Sequence, residues 1–352
     1  MRHRRGLMTL SAGALLAGLF APAAAQDGGV QVVARRLRNP RGVAVGPGGA
    51  VFVAEAGRAG KRCVAPGQCF GFSGAITRIG ASGQKRVRRG LLSLGPRRGS
   101  GSVGSNDVAV GAKRGIFTIV SSVGPRARNV PNRVRRQSGN ILKLRGKGRR
   151  RKVADIDRLE FRRNPDGVIV DSNPYSVELG GPGIVAVDAG GNSLIRIRNG
   201  KKRVLTTFPR RTFDNRRVDS VPTSVAWGPD GNYYVGELGG DGTPQGRARV
   251  WRVTPRGRRT IFAGGFDAIV GVDVDNDGNV YIVELLRDGL AQFATGDLTG
   301  SLWMIEPNGA RTELAAGQLN TPGGVAVADN GDIYVSVRSL SPRRGRVVRV
   351  TN

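Results

Sequence analysis

Short valine-rich segments alternate with glycine-rich turns along nearly the whole chain. One phrase recurs: a strand of alternating Val and small residues, a tight Gly/Asp/Asn turn, and a second strand rich in Val, Ile and Tyr. It stands at NPRGVAVGPGGAVFVAE (39–55), SNDVAVGAKRGIFTIVS (105–121), NPYSVELGGPGIVAVD (173–188), VPTSVAWGPDGNYYVGE (221–237), AIVGVDVDNDGNVYIVE (268–284) and TPGGVAVADNGDIYVSV (321–337). The equivalent valines are Val43, Val108, Val177, Val225, Val272 and Val325, spaced 65, 69, 48, 47 and 53 residues apart. Alternation with a period of two predicts half-buried strands. A repeat of this length built only from strands predicts a propeller.

The rest of each repeat agrees. A third strand recurs as GAITRI (74–79), GNILKL (139–144), SLIRIR (193–198), ARVWRV (248–253), GSLWMI (300–305) and GRVVRV (345–350). A fourth follows as QKRVRR, RRKVADI, KKRVLTT, RRTIFAG and ARTELAA, and is missing from the last repeat. VQVVAR (30–35), at the other end of the chain, supplies it. The expected fold is all-β: a six-bladed β-propeller of NHL-like repeats over residues 26–352, with four antiparallel strands per blade and 24 in all, the last blade closed by the N-terminal strand. Such closure removes the exposed sheet edges that invite aggregation.

Loop lengths are asymmetric. The turns between the first and second strands of each repeat are tight, as are those between the third and fourth. The long connections, 57–73, 90–106, 122–138, 157–175, 208–223, 238–247 and 285–299, all join second to third strands or one repeat to the next. In an antiparallel blade these emerge on one face. A rigid scaffold with all its insertions on one side predicts a binding face there.

Four second strands end on that face in an acid: Glu55, Asp188, Glu237 and Glu284. Asn106, Asp107, Asn173 and Tyr175 enter nearby. Carboxylates and amides converging at a channel mouth would suit a hard cation, calcium above all. Pairing with the many arginines, or one ancestral acid copied through the repeats, would leave the same pattern. DVDNDG (273–278) has acids at alternating positions but lacks the downstream Glu of a calcium loop and occupies a turn position, so it reads as a turn.

Charge changes the picture of partners. The chain has 56 Lys+Arg against 26 Asp+Glu, with Arg contributing 48, and runs such as Arg133-Val134-Arg135-Arg136 and Arg149-Arg150-Arg151-Lys152 concentrate it. Such a surface attracts polyanions. Met1–Gly6 is basic, Leu7–Ala21 is apolar, and Ala23-Ala24-Ala25 offers small residues, the layout of a signal peptide over residues 1–25. The apolar run is shorter than the ~20 residues needed to span a bilayer. Export to the periplasm or beyond is expected, as a monomer without a transmembrane segment. The expected polyanions are therefore acidic polysaccharide or cell-wall material; no motif for specific nucleic-acid recognition is present. Cys63 and Cys69 are expected to form a local disulfide in an oxidising compartment.

The sole histidine, His3, precedes the cleavage site, so residues 26–352 contain none. That disfavours serine–histidine and cysteine–histidine hydrolases and any lyase or dehydrogenase resting on a histidine.

LRNPRGVAVGPGGAVFVAEAG (37–57), DAGGNSLIRI (188–197), VPTSVAWGPDGNYYVGEL (221–238) and NTPGGVAVADNGDIYVS (320–336) together resemble the ScyD/ScyE family of exported, NHL-like propeller proteins. The resemblance runs over essentially all of residues 26–352. It implies the six-bladed fold and export, and no established reaction. Relatives often have His before the Asp that opens the second repeat; here that position is Asn106 beside Asp107. The expected function is an exported binding scaffold acting through the loop-rich face. The alternative is a calcium-dependent hydrolase of the lactonase or gluconolactonase kind, with Glu55, Asn106, Asp107, Asp188, Glu237 and Glu284 as its acidic centre.

Overall fold

The computed structural model describes residues 29–65, 67–124, 130–146 and 148–351; the signal segment expected at 1–25 lies outside them. The valine alternation does produce strands. Where each repeat phrase was read, an inner strand is followed by an antiparallel partner: Pro40–Val45 with Val51–Glu55, Val103–Gly111 with Gly115–Val120, Pro174–Glu178 with Ile184–Asp188, Pro222–Trp227 with Tyr233–Glu237, Ile269–Val274 with Val280–Glu284, and Gly324–Val327 with Ile333–Val337. The repeat valines Val43, Val53, Val225, Val235, Val325 and Val335 are all buried, as the period of two requires.

The third, fourth and fifth repeats each form a separate four-stranded sheet in sequence order. The last sheet runs Val30–Leu37, Gly345–Val350, Ile333–Val337, Gly324–Val327. Its outer edge is the N-terminal strand, with Val30 opposite Val350 and Val32 opposite Val348, as the missing fourth strand predicted. The first two repeats depart from expectation. They share one nine-stranded sheet, because the strands Gln68–Gly80 and Gly83–Gly95 are each 13 residues long. Leu91 and Leu92 are fully buried, so the second of these does not stop at the rim. It continues until Ser93 pairs with Gly104 and Leu94 with Val103 of the next repeat. Much of 57–73 and 90–106, read from sequence as loop, is therefore strand.

The short turns close on themselves, with Gly46 N–H donating to Ala50 O at 2.8 Å, Gly228 to Asn232 at 2.9 Å and Thr254 to Arg258 at 2.8 Å. In DVDNDG the first two residues, Asp273 and Val274, end strand Ile269–Val274, and the rest is a turn in which the Asp275 carboxylate accepts the amides of Asp277 at 3.0 Å and Asn279 at 2.8 Å. The extra elements lie in the long connections: helices Asn132–Arg135 and Asp157–Arg163, the hairpin of Arg211–Phe213 with Arg216–Val218, and a 3-10 turn at Leu290–Thr295. Strand Arg62–Ala65 folds onto Gln68–Gly80 with Cys63 opposite Cys69, and the two form the expected disulfide.

Packing is sheet against sheet. Six apolar clusters fill the spaces between successive repeats. One joins the last repeat to the first through Ala34, Leu37, Val43, Val53, Ala326 and Val347. The six inner strands together line one central cavity of about 260 Å³. At one level they touch backbone to backbone. A Cβ on Gly271 would lie 2.9 Å from Gly324 Cα, and one on Gly324 would lie 2.9 Å from Gly42 Cα, so only glycine lets the strands close there. Antiparallel sheets arranged around a cavity lined by their first strands make this a β-propeller.

Candidate functional site

The four strand-end acids do not meet. Each is buried and faces its own repeat. Glu55 accepts the Arg38 amide at 2.8 Å, the Thr77 hydroxyl at 2.6 Å and two bonds from Arg86 at 2.8 and 2.9 Å. Glu237 accepts Ser220 at 2.5 Å, the Trp251 indole at 2.9 Å, Arg211 at 2.9 Å and Arg249 at 2.8 Å. Glu284 accepts the Asp267 amide at 2.5 Å, the Trp303 indole at 2.9 Å and the Ser301 hydroxyl. Asp188 accepts the Ser172 hydroxyl at 2.6 Å and the Asn173 amide at 2.8 Å. In each case one partner lies in the connection entering the repeat, 15 to 17 residues upstream. The recurring acid pins that connection to the end of the second strand, and in Glu55 and Glu237 arginine neutralises it. Of the residues proposed from sequence, Asn106, Asp107 and Tyr175 line the central cavity; Glu55, Asp188, Glu237, Glu284 and Asn173 do not. The Asn106 amide is held by the Ser121 hydroxyl at 2.7 Å and Pro174 O at 3.0 Å.

The cavity brings in two further acids: Glu178, which the sequence does not flag, and Asp273, which the sequence places in the DVDNDG turn but which lies in strand Ile269–Val274. Both sit one place after the repeat valine, where the other four repeats have Ala44, Ala109, Ala226 and Ala326. Asp107 sits one place before it, where the others have Gly or Ser. Asp107 accepts the Ser176 hydroxyl at 2.7 Å and the Val177 amide at 2.9 Å from the next repeat; Asp273 likewise accepts the Val327 amide at 2.8 Å. None of the three has a basic partner among the described ion pairs. Burial pushes Asp107 and Asp273 up to about 6 and Glu178 to about 7, with the neighbouring acids adding to the rise in Glu178 and Asp273. Among the described residues no three His, Cys, Asp or Glu side chains stand together as metal ligands.

A second acidic group lies in the connection between the second and third repeats. Helix Asp157–Arg163 presents Glu160 inward, 1% exposed. Asp166, Asp171 and Asp188 surround it, and burial together with their charges pushes Glu160 up to about 8.

The basic runs also come together. A surface groove of about 460 Å³ is lined by Asn132, Arg133, Arg136, Gln137, Leu142, Arg150 and Lys152. Arg133 is placed by stacking over Phe72, 3.9 Å from the ring centre. Arg150 donates to the Arg89 and Gly90 carbonyls at 2.8 and 2.9 Å, and burial with the charge of Arg133 lowers its pKa. Among the described residues no acid is part of the lining, though Lys152 pairs at the margin with Asp155 at 3.1 Å.

No family model matches the sequence, and no curated protein matches it. Solved structures do match in fold. A gluconolactonase from Xanthomonas campestris is 11% identical over 93% of this chain and 92% of its own, with TM-score 0.56. Regucalcin, a calcium-binding protein from Agrobacterium tumefaciens, is 12% identical over 91% and 95%, with TM-score 0.50. A catalytically inactive histidine-to-alanine variant of virginiamycin B lyase from Staphylococcus aureus, with quinupristin, is 16% identical over 92% and 100%, with TM-score 0.50. At these identities the likeness is one of fold. Among the described residues no helix is long and apolar enough to cross a membrane.

Proposed function

We propose that the chain is an exported, six-bladed propeller of the ScyD/ScyE type that binds acidic polymers of the cell surface or wall. The observation carrying this reading is the groove of Arg133, Arg136, Arg150 and Lys152, where two basic runs separate in sequence form one concavity whose three arginines are in none of the described ion pairs. Guanidinium groups suit the carboxylate, sulfate and phosphate groups of such polymers by paired hydrogen bonds. The six apolar clusters and six inner strands support the blade count, and the Cys63–Cys69 disulfide fits an oxidising destination. The test is retention on immobilised heparin at about 0.15 M salt, where surface charges beyond ~8 Å are screened. The protein is retained, and the triple variant Arg133→Ser, Arg136→Ser, Arg150→Ser elutes at markedly lower salt. Equal elution of the two proteins would sink the reading.

A second reading is a calcium-dependent lactonase. The gluconolactonase and regucalcin likenesses favour it, together with the unpaired cavity acids Asp107, Glu178 and Asp273. The strand-end acids do not serve it, being committed within their repeats. A lactone-hydrolysis screen with and without calcium, repeated in Asp107→Asn, tests it. A histidine-dependent lyase chemistry is disfavoured, since residues 26–352 contain no histidine.

A further inference from the structure

We propose that the connection between the second and third repeats carries a binding site for a hard divalent cation of the calcium class, built on Glu160 and Asp171, with Asp166 and Asp188 adding negative charge beside it while their own oxygens stay bonded to the protein. Both carboxylate oxygens of Glu160 are buried with no partner at hydrogen-bond distance among the described residues, and the one donor turned towards them is the Asp171 backbone N–H. A carboxylate withdrawn from water and left short of donors is costly unless something else meets it. In this chain that something is not an arginine. Although the chain has 56 basic residues, none of the described ion pairs involves Glu160, Asp166, Asp171 or Asp188.

The backbone opposite is opened for these groups. Gly190 and Gly191 have ordinary backbone angles, so neither is required for conformation. A Cβ on Gly191 would lie 2.6 Å from Glu160 Oε2 and 3.4 Å from Asp188 Cγ. A Cβ on Gly190 would lie 3.0 Å from Asp171 Oδ2. Adjacent glycines thus clear room where two carboxylates approach one stretch of chain. Asp166 is fixed beside them by the Asn192 amide at 2.8 Å and the Val168 N–H at 3.0 Å. Asn164, which ends the Glu160 helix, has a buried Oδ1 that is also without a partner. Since no three acids already stand at coordinating separation, the ion would be held by two carboxylates with neutral oxygens and water completing its shell, the mixed donor set calcium accepts and magnesium resists. This site is separate from both the basic groove and the central cavity.

The experiment is titration of calcium into the EDTA-treated protein at pH 8, followed by calorimetry and by thermal melting. Wild type binds one equivalent and its melting temperature rises. Glu178→Gln, in the central cavity, keeps the one-equivalent binding and the calcium-dependent rise of wild type, whatever its own melting temperature in EDTA. Glu160→Gln shows neither binding nor a calcium-dependent rise, and in EDTA it melts no lower than wild type, because an uncompensated buried charge has been removed. Asp171→Asn, at the surface end of the site, binds at least about tenfold more weakly, and it decides the matter if Glu160→Gln fails to fold. Absence of any heat or shift in wild type at millimolar calcium would overturn the proposal, as would wild-type binding in both site variants or loss of binding through Glu178→Gln.

Discussion

Trp251 donates its indole N–H to Glu237 at 2.9 Å, and one repeat later Trp303 does the same to Glu284 at the same distance. In these two sheets the second and third strands are thereby tied through a side-chain bond as well as the backbone ladder. Glu237 also carries Arg211 and Arg249, which stand 19% and 15% exposed and would lose their counter-charge together. Glu237→Ala is therefore expected to lower stability by about 3–5 kcal/mol, the usual cost of stranding a buried charge partner. Trp251→Phe removes one donor and is expected to cost about 1–3 kcal/mol. Urea unfolding of both variants checks this, and calcium does not change either difference.

The cavity acids set the pH dependence of stability. Asp107 and Asp273 are raised to about 6 and Glu178 to about 7, so between pH 4 and 7 the folded state holds protons that the unfolded chain has released. Stability then falls as pH rises through that window. Glu160, at about 8, acts in the same direction. Asp188, raised by burial to about 6, and Asp157, raised by burial to about 7, add to it, and residues 26–352 hold no histidine to oppose them. The urea midpoint is expected to drop from pH 5 to pH 8 in calcium-free buffer, and Glu178→Gln to flatten that slope. A midpoint that climbs with pH would show these carboxylates to be ionised without cost.

The glycine contacts around the cavity make a third expectation. A methyl group at Gly324 meets the Gly42 backbone at 2.9 Å, and no side-chain rotation relieves it. Gly324→Ala is expected to destabilise by about 1–3 kcal/mol through overpacking. Gly331→Ala, where the added carbon meets nothing within 4 Å but φ is +84°, controls for backbone strain alone. Thermal melting of the two variants separates crowding from conformation.

Much of this architecture was legible in the repeat phrase. Spacing, turn residues and a missing last strand predict paired strands and closure by Val30–Leu37, and the closure follows from Val30 lying opposite Val350. The fusion of the first two repeats was not legible. It depends on Leu91 and Leu92 finding a buried place beyond the expected strand end, which a local pattern does not announce. The candidate site was read in part. Acids at strand ends stand out in the sequence because they recur, yet the recurrence marks a structural pin. Glu178 and Asp273 carry the opposite signal, an acid where four other repeats keep alanine. Glu160 lies on a helix without counterpart in the other repeats, so only its burial reveals it.

The pairing of Val30–Leu37 with Gly345–Val350 also sets an order of events in folding. Clusters between neighbouring repeats can form from nearby segments, but the cluster containing Leu37 and Val347 needs both ends of the chain. Its contacts span more than 300 residues and carry the largest loop-closure entropy in the molecule. Within residues 29–351 this seam is therefore the last to assemble on a growing chain.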